Sequence, residues 1–136
     1  MKKILLVLAV LVVGLALMTG CGNVPPIEPD SDFVGSWINI NQVDPNVTKC
    51  VIVLAGSNLS IDIWAACVPT DCYWGSVLVE KTDSIDGTME IYWIWSFGEK
   101  TQNLTLVDSN QLEIKTFFHS FDSNLEYTTI EYFIKE

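Results

Sequence analysis

Between residues 33 and 136, apolar and polar side chains alternate along the chain, and this rhythm constrains the fold more than any other feature. Leu59, Ile61, Ile63 and Ala65 alternate with Ser60, Asp62 and Trp64; Met89, Ile91, Trp93, Trp95 and Phe97 with Glu90, Tyr92, Ile94 and Ser96; Leu112, Ile114, Thr116 and Phe118 with Glu113, Lys115 and Phe117. Successive side chains of a strand point to opposite faces, so period two marks half-buried strands. Turn-forming clusters separate the runs: Asp44-Pro45-Asn46, Gly56-Ser57-Asn58, Asp86-Gly87, Asp108-Ser109-Asn110 and Asp122-Ser123-Asn124. The pattern predicts eight strands, near residues 33–41, 48–55, 58–67, 73–81, 88–97, 100–107, 111–120 and 126–135. No segment has helical periodicity and no internal repeat is visible. The expected class is all-β, an eight-stranded antiparallel meander that closes into a barrel, since closure removes exposed edges.

The N-terminal segment is of another kind. Lys2 and Lys3 precede an apolar run from Ile4 to Met18, which is followed by Thr19, Gly20 and Cys21. A membrane-spanning helix needs about 20 apolar residues, and this shorter run fits the apolar region of a signal peptide. Met18-Thr19-Gly20-Cys21 resembles the lipobox of bacterial lipoproteins, with Met18 where that pattern prefers Leu. The resemblance implies cleavage before Cys21 and lipid attachment to it. The chain is then expected in the cell envelope, outside the cytoplasm and anchored to a membrane; ordinary secretion, with Cys21 a bystander, is the alternative. Pro25, Pro26 and Pro29 with Glu28, Asp30 and Asp32 make the next stretch an extended tether rather than a strand. Three units result: a signal peptide over 1–20, a lipid-anchored tether over 21–32, and a single domain over 33–136.

Charge removes one class of partner. The 136-residue chain holds 17 acidic residues against seven lysines and no arginine. Losing Lys2 and Lys3 with the signal removes two positive charges and takes the formal −10 to −12. Nucleic-acid affinity rests on cationic contacts with phosphates, so DNA and RNA are excluded as partners. A basic protein, a cation or a neutral ligand is compatible with this surface, and the excess charge also keeps an exported protein dispersed.

Three cysteines fall in the domain: Cys50, Cys67 and Cys72. Cys67 and Cys72 enclose Val68-Pro69-Thr70-Asp71, a turn-forming sequence that draws its flanks together. Outside the cytoplasm such a pair is expected to oxidise to a disulfide, a redox or metal pair being the alternative. Cys50 lies in the apolar strand Lys49-Cys50-Val51-Ile52-Val53 and is expected as a buried free thiol. The stretch Cys67-Val68-Pro69-Thr70-Asp71-Cys72-Tyr73-Trp74-Gly75 resembles a Cys-x-Pro-Thr-Asp-Cys-x-Trp-Gly motif of a family of small, secreted or lipid-anchored bacterial β proteins. Upstream, Gly35-Ser36-Trp37-Ile38-Asn39 and Asp44-Pro45-Asn46 match that family's Gly-x-Trp-x-Asn and Asp-Pro-Asn. Family members often carry His where this chain has Val68. The Gly-x-Trp element also opens lipocalin-like barrels, and the resemblance implies that fold class and no reaction.

Chemistry-bearing residues are few. His119 is the single histidine, and a hydrolase needs a base beside its nucleophile together with an orienting group. Zinc ligands are scarce. Asp83, Asp86 and Glu99, or Asp122 with Glu126, supply carboxylates for calcium but match no calcium-loop pattern. No catalytic residue, metal site or cofactor is expected. The domain holds five Trp, four Tyr and six Phe. A small barrel is either filled by its own side chains, the expectation here, or holds one small ligand. Trp37, Trp64, Trp74, Trp93 and Trp95 are the candidate wall of such a ligand site. The functional expectation is a non-enzymatic binding or interaction module, with a lipocalin-type carrier of a small apolar ligand and an envelope inhibitor of a basic protein as its two forms. Cys21→Ser is expected to move the protein from the membrane fraction to the soluble fraction on fractionation of cells; retention on membranes would remove the lipid anchor.

Overall fold

The computed structural model describes residues 32–80 and 87–136. The signal, Cys21 and nearly all of the tether lie outside the described residues, as do Asp83 and Asp86. Eight strands are present: β1 (Gly35–Asn39), β2 (Val47–Ala55), β3 (Asn58–Ala65), β4 (Cys72–Glu80), β5 (Thr88–Trp95), β6 (Gly98–Asp108), β7 (Gln111–Ser120) and β8 (Glu126–Lys135). They form one antiparallel sheet in the order β4-β3-β2-β1-β8-β7-β6-β5, curled into a nearly closed barrel with no helix among the described strands and turns.

The strands pair in chain order on either side of one interruption. β4 and β5 are the two ends of the sheet and share no ladder. The first and last strands meet instead, with Trp37 opposite Lys135, Ile38 opposite Ile134 and Asn39 opposite Phe133. The barrel is therefore two four-stranded meanders joined at β1–β8 and facing each other across a β4–β5 seam. Side chains fill that seam. Trp74 of β4 meets Trp95 of β5 edge to face, with ring centroids 6.3 Å apart. A Cβ on Gly75 would lie 3.5 Å from the Trp93 ring. Gly75 has φ +141°, a conformation L residues rarely adopt, at the place where β4 changes phase.

The alternating runs turn their apolar members inward as the sequence predicts. Leu59, Ile61 and Ile63 of β3, Met89 and Ile91 of β5, and Leu112 and Ile114 of β7 are buried. Phe33, Trp37, Ile52 and Phe133 join them to fill the end of the barrel at which the chain enters. That end is marked by the Lys135 Nζ donating to the Asp32 carbonyl at 2.9 Å, and by the Lys135 amide donating to Asn110 in the β6–β7 turn at 3.0 Å. Burial of this apolar surface is the main drive for folding, since removing each large aliphatic side chain from water contributes roughly 1.5–3 kcal/mol.

Cys67 and Cys72 are joined as a disulfide, with Cα atoms 5.5 Å apart, across the exposed loop between β3 and β4. Cys50 is buried and free. Burial, with a smaller contribution from Asp62, pushes its thiol far above the ordinary range, so it stays protonated and inert. Closing so short a loop contributes about 2 kcal/mol on the chain-entropy model. Cys67→Ser is expected to lower the melting temperature by on the order of 10 °C, measured by circular dichroism; an unchanged midpoint would mean the loop is held without the bond.

Candidate functional site

The inner face of the second meander is built in rows, each crossing four strands in register. Met89, Leu104, Ile114 and Glu131 form one row; Ile91, Gln102, Thr116 and Thr129 the next; Trp93, Lys100, Phe118 and Tyr127 the last. The interior thus changes character along the barrel axis, from apolar, through a polar layer, to an aromatic layer that contains one ammonium. The polar layer is a hydrogen-bonded floor. Trp93 Nε1 donates to Gln102 Oε1 at 2.9 Å, and Gln102 Nε2 donates to Thr116 Oγ1 at 3.0 Å.

Above this floor, a pocket of about 420 Å³ opens at the end of the barrel opposite the chain's entry. Tyr73, Trp74, Trp95, Phe97, Lys100, Phe118 and Tyr127 line it. Trp74 reaches it through a β-bulge. The β3–β4 register shifts between Ile63 and Trp64, so Gly75 opposes Ile63 while Tyr73 opposes Trp64. The extra residue re-aims the strand, as bulges do. Tyr73 stands at the pocket rim, its hydroxyl donating to Asp62 Oδ1 at 2.6 Å and its ring 5.1 Å from Trp64. The opposite wall is a ladder of rings, with Trp93 stacked on Trp95 at 6.3 Å and Trp95 on Phe97 at 5.8 Å. Gly98 lets β6 pass close to β7, because a Cβ there would stand 2.7 Å from the His119 carbonyl oxygen.

Lys100 sets the electrostatics of the pocket. Its residue is 4% exposed. The ammonium sits 3.4 Å from the Trp74 ring centroid, 5.7 Å from Trp95 and 5.9 Å from Phe118. These faces are attractive to a cation. Among the described residues no carboxylate lies within ion-pair distance of Nζ, which also makes no hydrogen bond; the single pair found is His119 with Glu126. Burial in this apolar box lowers the Lys100 pKa to about 8, and the more distant Glu131 opposes the shift. Glu131 is itself engaged, accepting from Asn39 Nδ2 at 3.0 Å and from the Asn46 amide at 2.8 Å.

Of the tryptophans expected to form a ligand wall, Trp74 and Trp95 line the pocket. Trp93 lies directly beneath, tied into the floor. Trp37 and Trp64 do not belong to it. Trp37 is wholly buried in the core, its Nε1 donating to the Phe33 carbonyl at 2.8 Å. Trp64 faces outward, with the Lys49 ammonium 5.5 Å from its ring. Lys100, Phe97, Phe118, Tyr73 and Tyr127, none of them expected in the wall, complete the pocket lining. The alternation of β6 did carry a signal, since Lys100 is in phase with the buried Gln102 and Leu104. The expectation of a filled barrel holds for the apolar end and not for the mouth.

His119 pairs with Glu126 through Nδ1 at 2.8 Å on the outer side of β7, and no serine or cysteine among the described residues is hydrogen-bonded to its ring. A second pocket of about 280 Å³ is lined by Asn39, Ile40, Asn41, Glu131 and Tyr132 among others, and its one carboxylate, Glu131, accepts from Asn39 and from the Asn46 amide. Comparison of the chain with protein-family models, curated proteins and solved structures finds no match.

The Lys100 environment predicts a pH signature in stability. Below about pH 8 the folded and unfolded chains both carry the proton, and the cost of burying the charge is fully present. Between about 8 and the ordinary lysine value of 10.5, only the unfolded chain keeps it, so stability rises with pH. The gain is at most roughly 3 kcal/mol. Lys100→Met keeps the side-chain length without the charge. Denaturant melts of both proteins between pH 7 and 9.5 are expected to show the wild type gaining stability relative to the variant; parallel curves would place the amine in water.

Proposed function

We propose that this chain is a lipid-anchored envelope protein that binds a small, mostly apolar ligand in the pocket at the barrel mouth. The observation that carries the reading is the pocket itself: about 420 Å³, walled by aromatic rings, with one charged side chain at its base. Ligand sites have this make-up, an apolar lining with a few placed polar groups in a volume of roughly 300–1,000 Å³. The position of the tether supports it as well. Asp32 meets the barrel at the closed end, so a lipid on Cys21 would hold the mouth away from the membrane. The absence of a nucleophile beside His119 among the described residues favours binding over turnover. The resemblance to small secreted or lipid-anchored bacterial β proteins is consistent with such a module.

A second reading, an inhibitor of a basic protein, draws on the formal charge of −10 and on the exposed Cys67–Cys72 loop, where Val68 is 97% exposed. Salt separates the two, because screening weakens contacts between exposed charges and leaves apolar burial intact. Calorimetric titration of the full chain in a non-ionic detergent, with detergent alone as the blank, is expected to show saturable one-to-one binding of 2-naphthalenemethanol. The affinity should hold between 0.05 and 0.5 M salt and fall about tenfold in Trp95→Ala, the loss expected for part of an aromatic contact surface. No saturable binding of this neutral probe or of a charged relative, together with salt-sensitive capture of a basic protein, would favour the inhibitor.

A further inference from the structure

We infer that the natural ligand is an organic anion, an apolar body bearing a carboxylate that pairs with the Lys100 ammonium inside the aromatic pocket. The inference rests on the pocket reading above and names the chemistry of its occupant.

Lysine is almost never fully buried unless it is paired. This chain has 17 acidic residues to offer as partners, yet none reaches Lys100 among those described. The other described lysines are accommodated at the surface or at the closed end: Lys49 lies over Trp64, Lys115 is exposed, and Lys135 donates to the Asp32 carbonyl. Lys100 alone among them is buried. A purely structural side chain in that row would be an aliphatic one, which packs against Trp74 and Phe118 without the cost of desolvating a charge. The three rings offset part of that cost and cannot supply a counter-charge.

The surroundings select the sign and type of the missing group. A cationic ligand would meet the ammonium as a like charge in a poorly screened site. A neutral ligand would leave the ammonium uncompensated. An anion answers the charge, and the pocket offers a further donor in the Tyr127 hydroxyl, which makes no hydrogen bond among the described residues. One ammonium and one hydroxyl suit a carboxylate, which accepts at two oxygens. The remaining wall is aromatic and suits an apolar body. Glu131, two rows below, cannot serve as an internal substitute, because its oxygens already accept from Asn39, Asn46 and Val47.

The titratable groups facing Lys100 are few: Tyr73 from β4 and Tyr127 and Glu131 from β8, while β5 and β7 present Trp93, Trp95, Thr116 and Phe118. Both tyrosines are shifted upward, Tyr73 chiefly by its bond to Asp62 and Tyr127 chiefly by burial. Loss of anion binding near pH 8 would therefore report the lysine, whose pKa lies near that value.

The test is a matched pair of probes, 2-naphthoate and 2-naphthamide, titrated calorimetrically into the full chain in non-ionic detergent at pH 7. They share a body and differ in charge. We expect the naphthoate to bind about tenfold more tightly or better, as one charge-assisted contact requires. Lys100→Met should abolish the preference, read as the ratio of the two affinities within that variant. In the wild-type chain the preference should decay as pH rises above about 8, a readout that stands even if the variant fails to fold. Equal binding of both probes would overturn the anion assignment and leave the pocket reading intact. Binding of neither probe would overturn both. A naphthoate preference that survives in folded Lys100→Met, or that persists unchanged to pH 9.5, would move the anion site away from Lys100 and overturn the assignment.

Discussion

The three-residue ladder between β1 and β8 is the constraint on which the rest of the molecule depends. Each four-stranded meander has one apolar face and cannot bury it alone. The β1–β8 ladder turns the two faces toward one another, and the apolar end of the barrel forms from both. Because the sheet is joined at β1–β8, it is open at β4–β5, and the chain meets the problem of two free edges with side chains. Trp74, Trp93 and Trp95 occupy the seam near the mouth. The rings that substitute for a backbone ladder are the same rings that wall the pocket, so barrel closure and pocket are one arrangement.

The barrel interior is graded, and the gradation explains why, among the described residues, the mouth is hollow. Aliphatic rows interdigitate and exclude space. Gln102 is held on both sides, accepting from Trp93 of the next row and donating to Thr116, and these bonds form the floor. Beyond it, flat rings on opposite sides of the seam meet edge to face and cannot close on one another as branched aliphatic chains do. Lys100 stands in that space with its charge unmatched, on a chain whose net charge is strongly negative. Placing the sole buried cation of the described residues where no carboxylate reaches costs stability, and the pH dependence of folding measures that cost directly.

Much of this was legible before any fold was known. The alternation of β3, β5 and β7 assigns Leu59, Ile63, Met89, Ile91, Leu112 and Ile114 to the inside, and they are there. The last two strands fall where the pattern put them, Gln111–Ser120 and Glu126–Lys135. The pairing of Cys67 with Cys72 followed from turn chemistry between close cysteines. The tryptophans were a harder case, since residue type alone does not distinguish core from pocket from surface. Trp64 is in outward phase on β3 and Trp37 inward on β1, whereas Trp74 reverses phase through a bulge that no local rule in Asp71-Cys72-Tyr73-Trp74 announces. Lys100 was legible in its phase and unread, because lysine on a strand is ordinarily a surface residue.

The sequence by itself determined the strands, their inward faces and the short disulfide, because each rests on contacts between residues near in the chain: alternation along a strand, turn geometry, the small loop between two cysteines. Only the tertiary structure decided that β1 rather than β4 and β5 closes the barrel, that Trp74 crosses to the inner face, and that Trp93, Lys100, Phe118 and Tyr127 meet in one row. Those facts depend on register between strands distant in sequence. A single bulge or a one-residue slip would exchange inside for outside, so local composition cannot encode them.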